Sequence, residues 1–457
     1  MHIHILGICG TFMGGIAVLA RGMGVKVTGS DSNPYPPMST QLEELGITVN
    51  RYDEANLEPQ PDIVVIGNAL SRGNPEVEAV LEGDLNYISG PQWLAEHFLR
   101  GRHVLAAAGT HGKTTTSSML AWILEYAGLE PGFLIGGIPQ NFGISARAGA
   151  GKYFVIEADE YDTAFFDKRS KFIHYHPKTL ILNNLEFDHA DIFADLDAIK
   201  QQFHFLIRTV PGTGQLVINA DDQALQEVLS KGCWSEKTYY SIKDSTDSEW
   251  QIDNLEPDYS RFTILNEGVE QGTLDWDLMG AHNAANALSA IAAAAHIGVM
   301  HRLSIEALGH FSNVKRRMEV RGKINNITVY DDFAHHPTAI QTTLEGLRKH
   351  CGDERIIAIL EPRSNTMKMG VHKKTLLNSL HLADSVFIYQ PSDIDWSIAD
   401  ATENERSPSI QTKINMLVDE VISMTEPGDN ILVMSNGGFE GIHDKLLQGL
   451  EYKYPQA

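Results

Sequence analysis

Cysteine is scarce: Cys9, Cys233 and Cys351 are the only three in 457 residues. They are too far apart, and odd in number, for a disulfide framework or a zinc-ligand spacing, which fits a reducing cytoplasm as the expected location. Positive charge is also scarce. Lys and Arg number 36 against 59 Asp and Glu, giving a formal net charge of −23. That balance argues against nucleic acid or an anionic membrane as a partner, so anionic ligands must be met by local basic sites. Long apolar runs are missing. The most apolar stretch, Ala287 to Ala295, is interrupted by His296 and is too short to span a bilayer, so it reads as a buried core helix. The opening residues MHIHILGICG lack the basic leader and cleavage site of a signal peptide. No internal repeat or low-complexity segment occurs. What remains is a chain of ordinary globular composition, 43% apolar and 21% charged, long enough for about three domains.

The most informative stretch runs from Val104 to Met119. Val104 to Ala108 reads as a buried strand and Gly109 to Gly112 as a tight turn. From Lys113 a helix follows, with Met119, Leu120, Ile123 and Leu124 at helical spacing. Strand, glycine turn, Lys-Thr and helix together form a phosphate cradle. Backbone N–H groups and the helix start meet phosphate oxygens, the lysine reaches the β- and γ-phosphates, and the next hydroxyl meets Mg²⁺. Here the residues are Gly109, Thr110, His111, Gly112, Lys113, Thr114 and Thr115, with Ala107 where the general pattern has glycine. The expected ligand is a nucleoside triphosphate with Mg²⁺.

The flanking chain alternates strands and helices. His2 to Leu6 is a strand, followed by a turn with Gly7, Gly10 and Gly14 and then by a helix. Val25 to Thr28 is a second strand, ending near Asp31. This opens a dinucleotide-binding type of βαβ unit, although the glycine spacing is imperfect. Either it is a glycine turn of any α/β unit, or it carries a nucleotide pyrophosphate with Asp31 on the sugar or base. The strand Asp62 to Ile66 leads into a loop containing Asn68 and Ser71, and a linker is expected at residues 100–102. Beyond the phosphate loop, Tyr153 to Ile156 ends in Glu157, and Thr179 to Leu182 leads to His189. Acids at a strand end beside a phosphate loop hold Mg²⁺ in related arrangements. Structural readings of Glu157 and His189 remain open at this point. Residues 238–276 are polar with β-type fragments. His282, Asn283 and Asn286 lie within one turn at the start of the apolar helix, as capping groups or as contacts to a base. Val320 to Tyr330 reads as a hairpin, and strands at 356–360, 385–389 and 430–434 complete a third α/β region, with residues 394–409 as a polar loop.

Six segments, GTHGKTTT, EADEYD, DHADIF, GAHNAANALSA, VKRRMEVRG and DDFAHHPT, occur in order along nearly the whole chain. Together they resemble the Mur ligases of bacterial cell-wall synthesis, in the branch that binds UDP-N-acetylmuramate. The resemblance implies an α/β protein of three domains. These are a Rossmann-like UDP-binding domain (1–100), a central P-loop ATPase-type domain (101–314) and a Rossmann-like amine-substrate domain (315–457). It implies ATP and Mg²⁺ as cofactors, with phosphorylation of a lactyl carboxylate and attack on the acyl phosphate by an amine. Lys113, Glu157, His189 and Arg317 are the implied catalytic residues, and Thr114, Glu157 and His189 the implied metal ligands. His282, Asn283 and Asn286 would meet adenine and ribose, Arg317 the γ-phosphate, and Asp332 (less so Asp331) the ribose. Gly7, Gly10, Gly14, Asp31, Asn68 and Ser71 would hold the UDP substrate. The carbamylated lysine of several family members has no match here, because Lys200 does not align with it.

The amine substrate is expected to be the tripeptide L-alanyl-γ-D-glutamyl-meso-diaminopimelate, with free L-alanine as the alternative. Alanine-adding relatives carry a His-Arg-rich loop after the proline that matches Pro362. This chain instead has Arg363, Asn365 and Lys368, suited to several carboxylates and a peptide group. A regulatory ATP-binding module would explain the phosphate loop but not the matched strand-end loops of three domains. An oxidoreductase reading suffers from the imperfect glycine pattern.

Overall fold

The computed structural model describes residues 1–34, 38–243, 248–392, 394, 396 and 408–455. The polar stretch 394–409 lies outside them apart from Ile394, Trp396, Pro408 and Ser409. The chain builds three α/β units in succession, each on its own sheet.

The first sheet is parallel, in the order Val49–Asn50, Lys26–Ser30, His2–Leu6, Ile63–Ile66 and Tyr87–Ser89. Strand order reverses at His2–Leu6. The glycine turn after that strand therefore sits where open α/β sheets receive ligands, and the unit is Rossmann-like. Inside the following helix, Thr11–Gly22, two glycines serve packing. A Cβ on Gly14 would lie 2.0 Å from Met38 Sδ, and one on Gly15 2.1 Å from Leu134 Cδ1 of the middle unit.

The middle sheet has ten strands, with a parallel centre in the order Gln215–Asn219, Thr179–Leu182, His103–Ala108, Tyr153–Ala158 and Gly132–Leu134. These strands read as near-continuous apolar runs because helices cover both faces. Along His103–Ala108 the side chains alternate: Leu105 and Ala107 pack with the helices Lys113–Tyr126 and Ala281–His296, whereas Val104, Ala106 and Ala108 face the opposite core. The Ala-rich helix is buried as expected. Residues 238–276, uninformative as sequence, contribute strands that extend the sheet, the last three antiparallel (Trp250–Asp253, Arg261–Asn266 and Val269–Asp275).

The third sheet begins with the expected hairpin, Glu319–Ile324 and Ile327–Asp332, turned by Asn325 and Asn326 at φ 47° and 63°. Asn430–Met434, Ile356–Leu360, Ser385–Tyr389 and Ser409–Gln411 continue it in parallel. Ile356, Ala358 and Leu360 fill one core, and Ile357 and Ile359 the other.

The middle unit meets its neighbours differently on its two sides. Towards the first unit the seam is apolar: Leu19, Leu94, Phe98 and Leu99 share one buried cluster with Val104, Ala106 and Phe154. Towards the third unit polar pairs dominate. Thr338 Oγ1 donates to Glu186 (2.7 Å), Thr366 Oγ1 to Asp188 (3.1 Å) and Asn365 Nδ2 to Asp191 (2.9 Å), while Met279 supplies an apolar contact. No described helix is long and apolar enough to cross a membrane.

Candidate active site

The helix Lys113–Tyr126 starts at Gly112, whose φ of 81° turns the chain out of the strand without a side-chain cap on the first-turn N–H groups. Those donors and the positive end of the helix are what an anion needs. The loop is pinned from one side. Thr110 N–H donates to Asn184 O (3.1 Å), His111 N–H to Asn184 Oδ1 (2.8 Å) and Glu186 N–H to Thr110 Oγ1 (2.9 Å). Thr115 is buried in the first helical turn.

Lys113 is buried, with its ammonium folded back on its own loop. It donates to Gly109 O (2.8 Å) and forms a 2.8 Å ion pair with Glu160. Burial alone would lower its pKa; Glu160 and Asp159 outweigh that and raise it. The other oxygen of Glu160 lies 3.1 Å from His189 Nε2, so one carboxylate bridges the lysine and the histidine. Burial opposes charge on His189 as well, and Glu160 with Asp188 lifts its pKa above the ordinary value. Glu157 accepts from Thr114 Oγ1 (2.9 Å) and Gly136 N–H (2.7 Å), and burial raises its pKa. Asp159 pairs with Lys171 at 3.0 Å; burial opposes its charge, but Lys171 and Lys113 hold it down at about 2.

His189 is expected to join Glu157 in a metal set. Metal-ligating atoms of Asp159, Glu160 and His189 lie within 4.8 Å of one another, and Glu157 is bonded to Thr114. The oxygen-rich donor set suits a hard cation such as Mg²⁺. The buried Tyr175 hydroxyl, which feels the charges of Asp159 and Glu157, also lacks a hydrogen-bond partner.

The helix that opens at His282 departs from expectation. Asn286 Oδ1 accepts from Thr116 Oγ1 (3.0 Å) and Asn183 Nδ2 (3.4 Å), tying two helices and a strand end together. Asn283 Nδ2 caps Met279 O at 2.8 Å. Asn286 Oδ1 and Asn283 Nδ2 are thus engaged within the protein, and His282 Nδ1 has no partner. Burial, reinforced by Arg317 and His111, lowers the His282 pKa to about 4.

Arg317 sits on the linker to the third unit, with its guanidinium 5.0 Å from the Phe333 ring centre and in the field of Asp332 and Glu157. Asp332, expected at the ribose, is buried. Its oxygens accept from Met318 N–H and Ala334 N–H, both at 2.8 Å, so it organises the linker. Asp331 is engaged too, by Arg316, Arg321 and His443.

A cavity of about 320 Å³ joins the first unit to the phosphate-loop face, with Gly7, Gly10 and Asn68 at one end and Glu157, Asp159 and Lys171 at the other. Asp31 accepts from Cys9 N–H (2.9 Å) and Asn33 N–H (3.1 Å), shaping the glycine turn. Gly14, expected at the substrate, packs against Met38. Ser71 is exposed and does not line the cavity. A second cavity, of about 210 Å³, lies between the middle and third units beside His189, Arg363, Asn365 and Asn436. Arg363 lies across Gly437, where a Cβ would come 2.3 Å from its Nη1. Asn365 bonds to Asp191 across the seam, and Lys368 stands outside the cavity lining. Lys200 pairs with Glu227 and Asp197 on its own helix and its neighbour.

Sequence reading placed Asp159 and Glu160 among the strand-end acids after Glu157 without giving them a role, and passed over Glu186, Asp188, Lys171 and His336 as site residues. Glu186 and Asp188 stand within three positions of His189; Lys171, beyond a short hairpin, left no signal.

With this geometry in view, comparison with known proteins is direct. Residues 2–102 match the Mur ligase family catalytic domain, 107–294 the Mur ligase middle domain and 316–437 the Mur ligase glutamate ligase domain. The chain belongs to the Mur ligase family, ATP-dependent enzymes that form amide bonds. Two relatives are similar to it end to end, both named UDP-N-acetylmuramate–L-alanyl-γ-D-glutamyl-meso-2,6-diaminoheptandioate ligase. That of Escherichia coli is 57% identical over 460 residues, all of both chains. That of Haemophilus influenzae is 56% identical over 455 residues, 99% of this chain and all of the relative. A murein peptide ligase of Psychrobacter arcticus, solved as a crystal structure, is 49% identical with a TM-score of 0.77, covering 98% of each chain.

Proposed function

We propose that this chain joins UDP-N-acetylmuramate to the tripeptide L-alanyl-γ-D-glutamyl-meso-diaminopimelate in the cytoplasm, with ATP and Mg²⁺, recycling cell-wall peptide. Full-length similarity to two ligases of that name carries the reading over the alanine-adding alternative. The domains divide near residues 100 and 314. The UDP part of the substrate lies along Gly7, Gly10 and Asn68, and the cavity leads the lactyl carboxylate of its muramate part towards Glu157 and Lys113. The carboxylate oxygen attacks the γ-phosphorus of ATP and ADP leaves. The tripeptide amine then attacks the acyl carbon, phosphate departs, and the amide remains after loss of a proton.

Lys113 turns from its loop carbonyls to the phosphoryl oxygens as charge spreads over them, and Glu160 keeps it charged and aimed. Thr114 with Glu157, and His189 with Glu160 and Asp159, are the groups that would hold Mg²⁺, which neutralises phosphate charge when bound. Arg317 approaches the γ-phosphate from the linker, and Arg363 grips a tripeptide carboxylate. Positioning and charge neutralisation supply most of the catalysis such a transfer needs. The test is phosphate release with ATP, Mg²⁺ and UDP-N-acetylmuramate, comparing tripeptide with L-alanine. Release that requires the tripeptide is expected; release with L-alanine and none with tripeptide would move the chain to the alanine-adding branch.

A further inference from the structure

We propose that the seam between the middle and third units holds a second cation site, built from His111, Glu186 and His336 and fitted to an imidazole-seeking divalent cation of the zinc class. His111 comes from the phosphate loop and Glu186 from the segment after Thr179–Leu182, while His336 precedes the helix Pro337–Cys351 of the third unit. One ligating atom from each lies within 4.8 Å of the others. His111 Nε2 is 3.4 Å from Glu186 Oε2, and His336 Nδ1 is 3.8 Å from the same oxygen.

Zinc bonds of about 2.0–2.2 Å at tetrahedral angles place neighbouring ligand atoms about 3.4 Å apart, so one edge already has the right length and the second is slightly long. Two imidazoles and one carboxylate select zinc over magnesium, the reverse of the oxygen-rich group around Asp159. His336 is 6% exposed; its Nδ1 accepts a long 3.3 Å hydrogen bond from Thr338 N–H, which a cation on that atom replaces, and its Nε2 has no hydrogen-bond partner. The His372 ring lies 4.5 Å from that of His336, also with Nε2 unpartnered, and offers a further imidazole beside the three. Side-chain exposures of 22% for His111 and 38% for Glu186 leave a way in from solvent on the middle-unit side. Because its ligands come from two units, a bound cation fastens them together.

Co²⁺ serves as the probe, since four-coordinate Co²⁺ absorbs visible light far more strongly than the hydrated six-coordinate ion. The full chain, free of nucleotide, is titrated with Co²⁺ and then with Zn²⁺. One equivalent of intensely absorbing Co²⁺, displaced by Zn²⁺, is expected. Glu186→Gln and His336→Ala should each weaken it by about tenfold or more, while His189→Ala leaves it in place. The glutamine variant keeps side-chain shape, so its loss cannot be laid to a damaged helix start at His336. A spectrum that stays six-coordinate, or one abolished by His189→Ala and indifferent to Glu186→Gln, would overturn the proposal.

Discussion

Two turns in this molecule share one backbone plan. Each follows the central strand of its sheet, each carries a glycine in the left-handed region, at φ 77° for Gly7 and 81° for Gly112, and each opens a helix without a side-chain cap. Their side chains differ. After Gly10 come Thr11, Phe12 and Met13, which line a cavity beside Gly67 and Asn68. After Gly112 comes Lys113, held among Glu160, Gly109 and Thr110, with Asp159 and Glu157 close by. The first turn supplies backbone and space, which recognise a ligand without changing its charge distribution. The second supplies a buried ammonium set between carboxylates, which is what a moving phosphoryl group requires.

Lys113→Ala tests this contrast most severely. It should cut ATP-dependent amide formation by on the order of a thousandfold. Lys113 is buried at the start of its helix. The variant leaves buried Glu160 with only His189 as an ion-pair partner, so Tm should fall as well. Near-normal amide formation would erase the distinction between the turns. Arg363→Ala should come next. Raising the tripeptide KM about tenfold, with that for ATP little changed, is the outcome expected of losing a half-exposed charged hydrogen-bonding group. Equal shifts in both constants would place Arg363 elsewhere in the reaction.

A smaller effect appears with pH. Burial holds His282, His335 and His336 near pKa 4, below the ordinary 6.5, and all three lie on the phosphate-loop side. Below pH 6.5 the unfolded chain binds protons that the folded chain refuses. Their stabilisation is therefore complete above 6.5 and disappears as pH falls towards 4. His189, raised, acts oppositely, losing its contribution as pH climbs past its folded pKa. Asp159 and Asp188, each at about 2, lose theirs only below the ordinary carboxylate range. Thermal melts between pH 7.5 and 5 should show Tm falling on acidification, less steeply in His335→Asn; a flat profile in the parent chain would contradict the burial of these rings. Lys200→Met should do least, leaving turnover unchanged with or without added bicarbonate, because that lysine serves only solvent-facing ion pairs.

Much of this was legible in the sequence because it is local. A strand, two glycines, Lys-Thr and an apolar helix are consecutive, and their order alone implies an anion cradle. Glu160 was not legible because its role depends on the register of Ala107 beside Glu157, which sets neighbouring strand ends level and brings a residue 47 positions away onto Lys113. The internal contacts of Asn286 and Asp332 were not legible for a related reason. A polar side chain at a helix start or strand end can face a ligand or satisfy the protein's own donors, and sequence spacing does not show which partners lie near. Asn286 accepts from Thr116 and Asn183, and Asp332 from two backbone N–H groups. The contact of Gly14 with Met38 lies across a helix pair that sequence spacing does not reveal.

The unlike seams of the middle unit open at different cost. A hydrogen bond given up at a seam is replaced by one to water, whereas hydrocarbon exposed to water is not compensated. Asp188, Asp191 and Glu186 therefore release the third unit at small cost, while Leu94 and Phe98 keep the first unit fast. The third unit becomes the moving arm and the other two its fixed base. Because Arg317 rides on the joint, the spread of that arm also sets how far its guanidinium stands from Glu157.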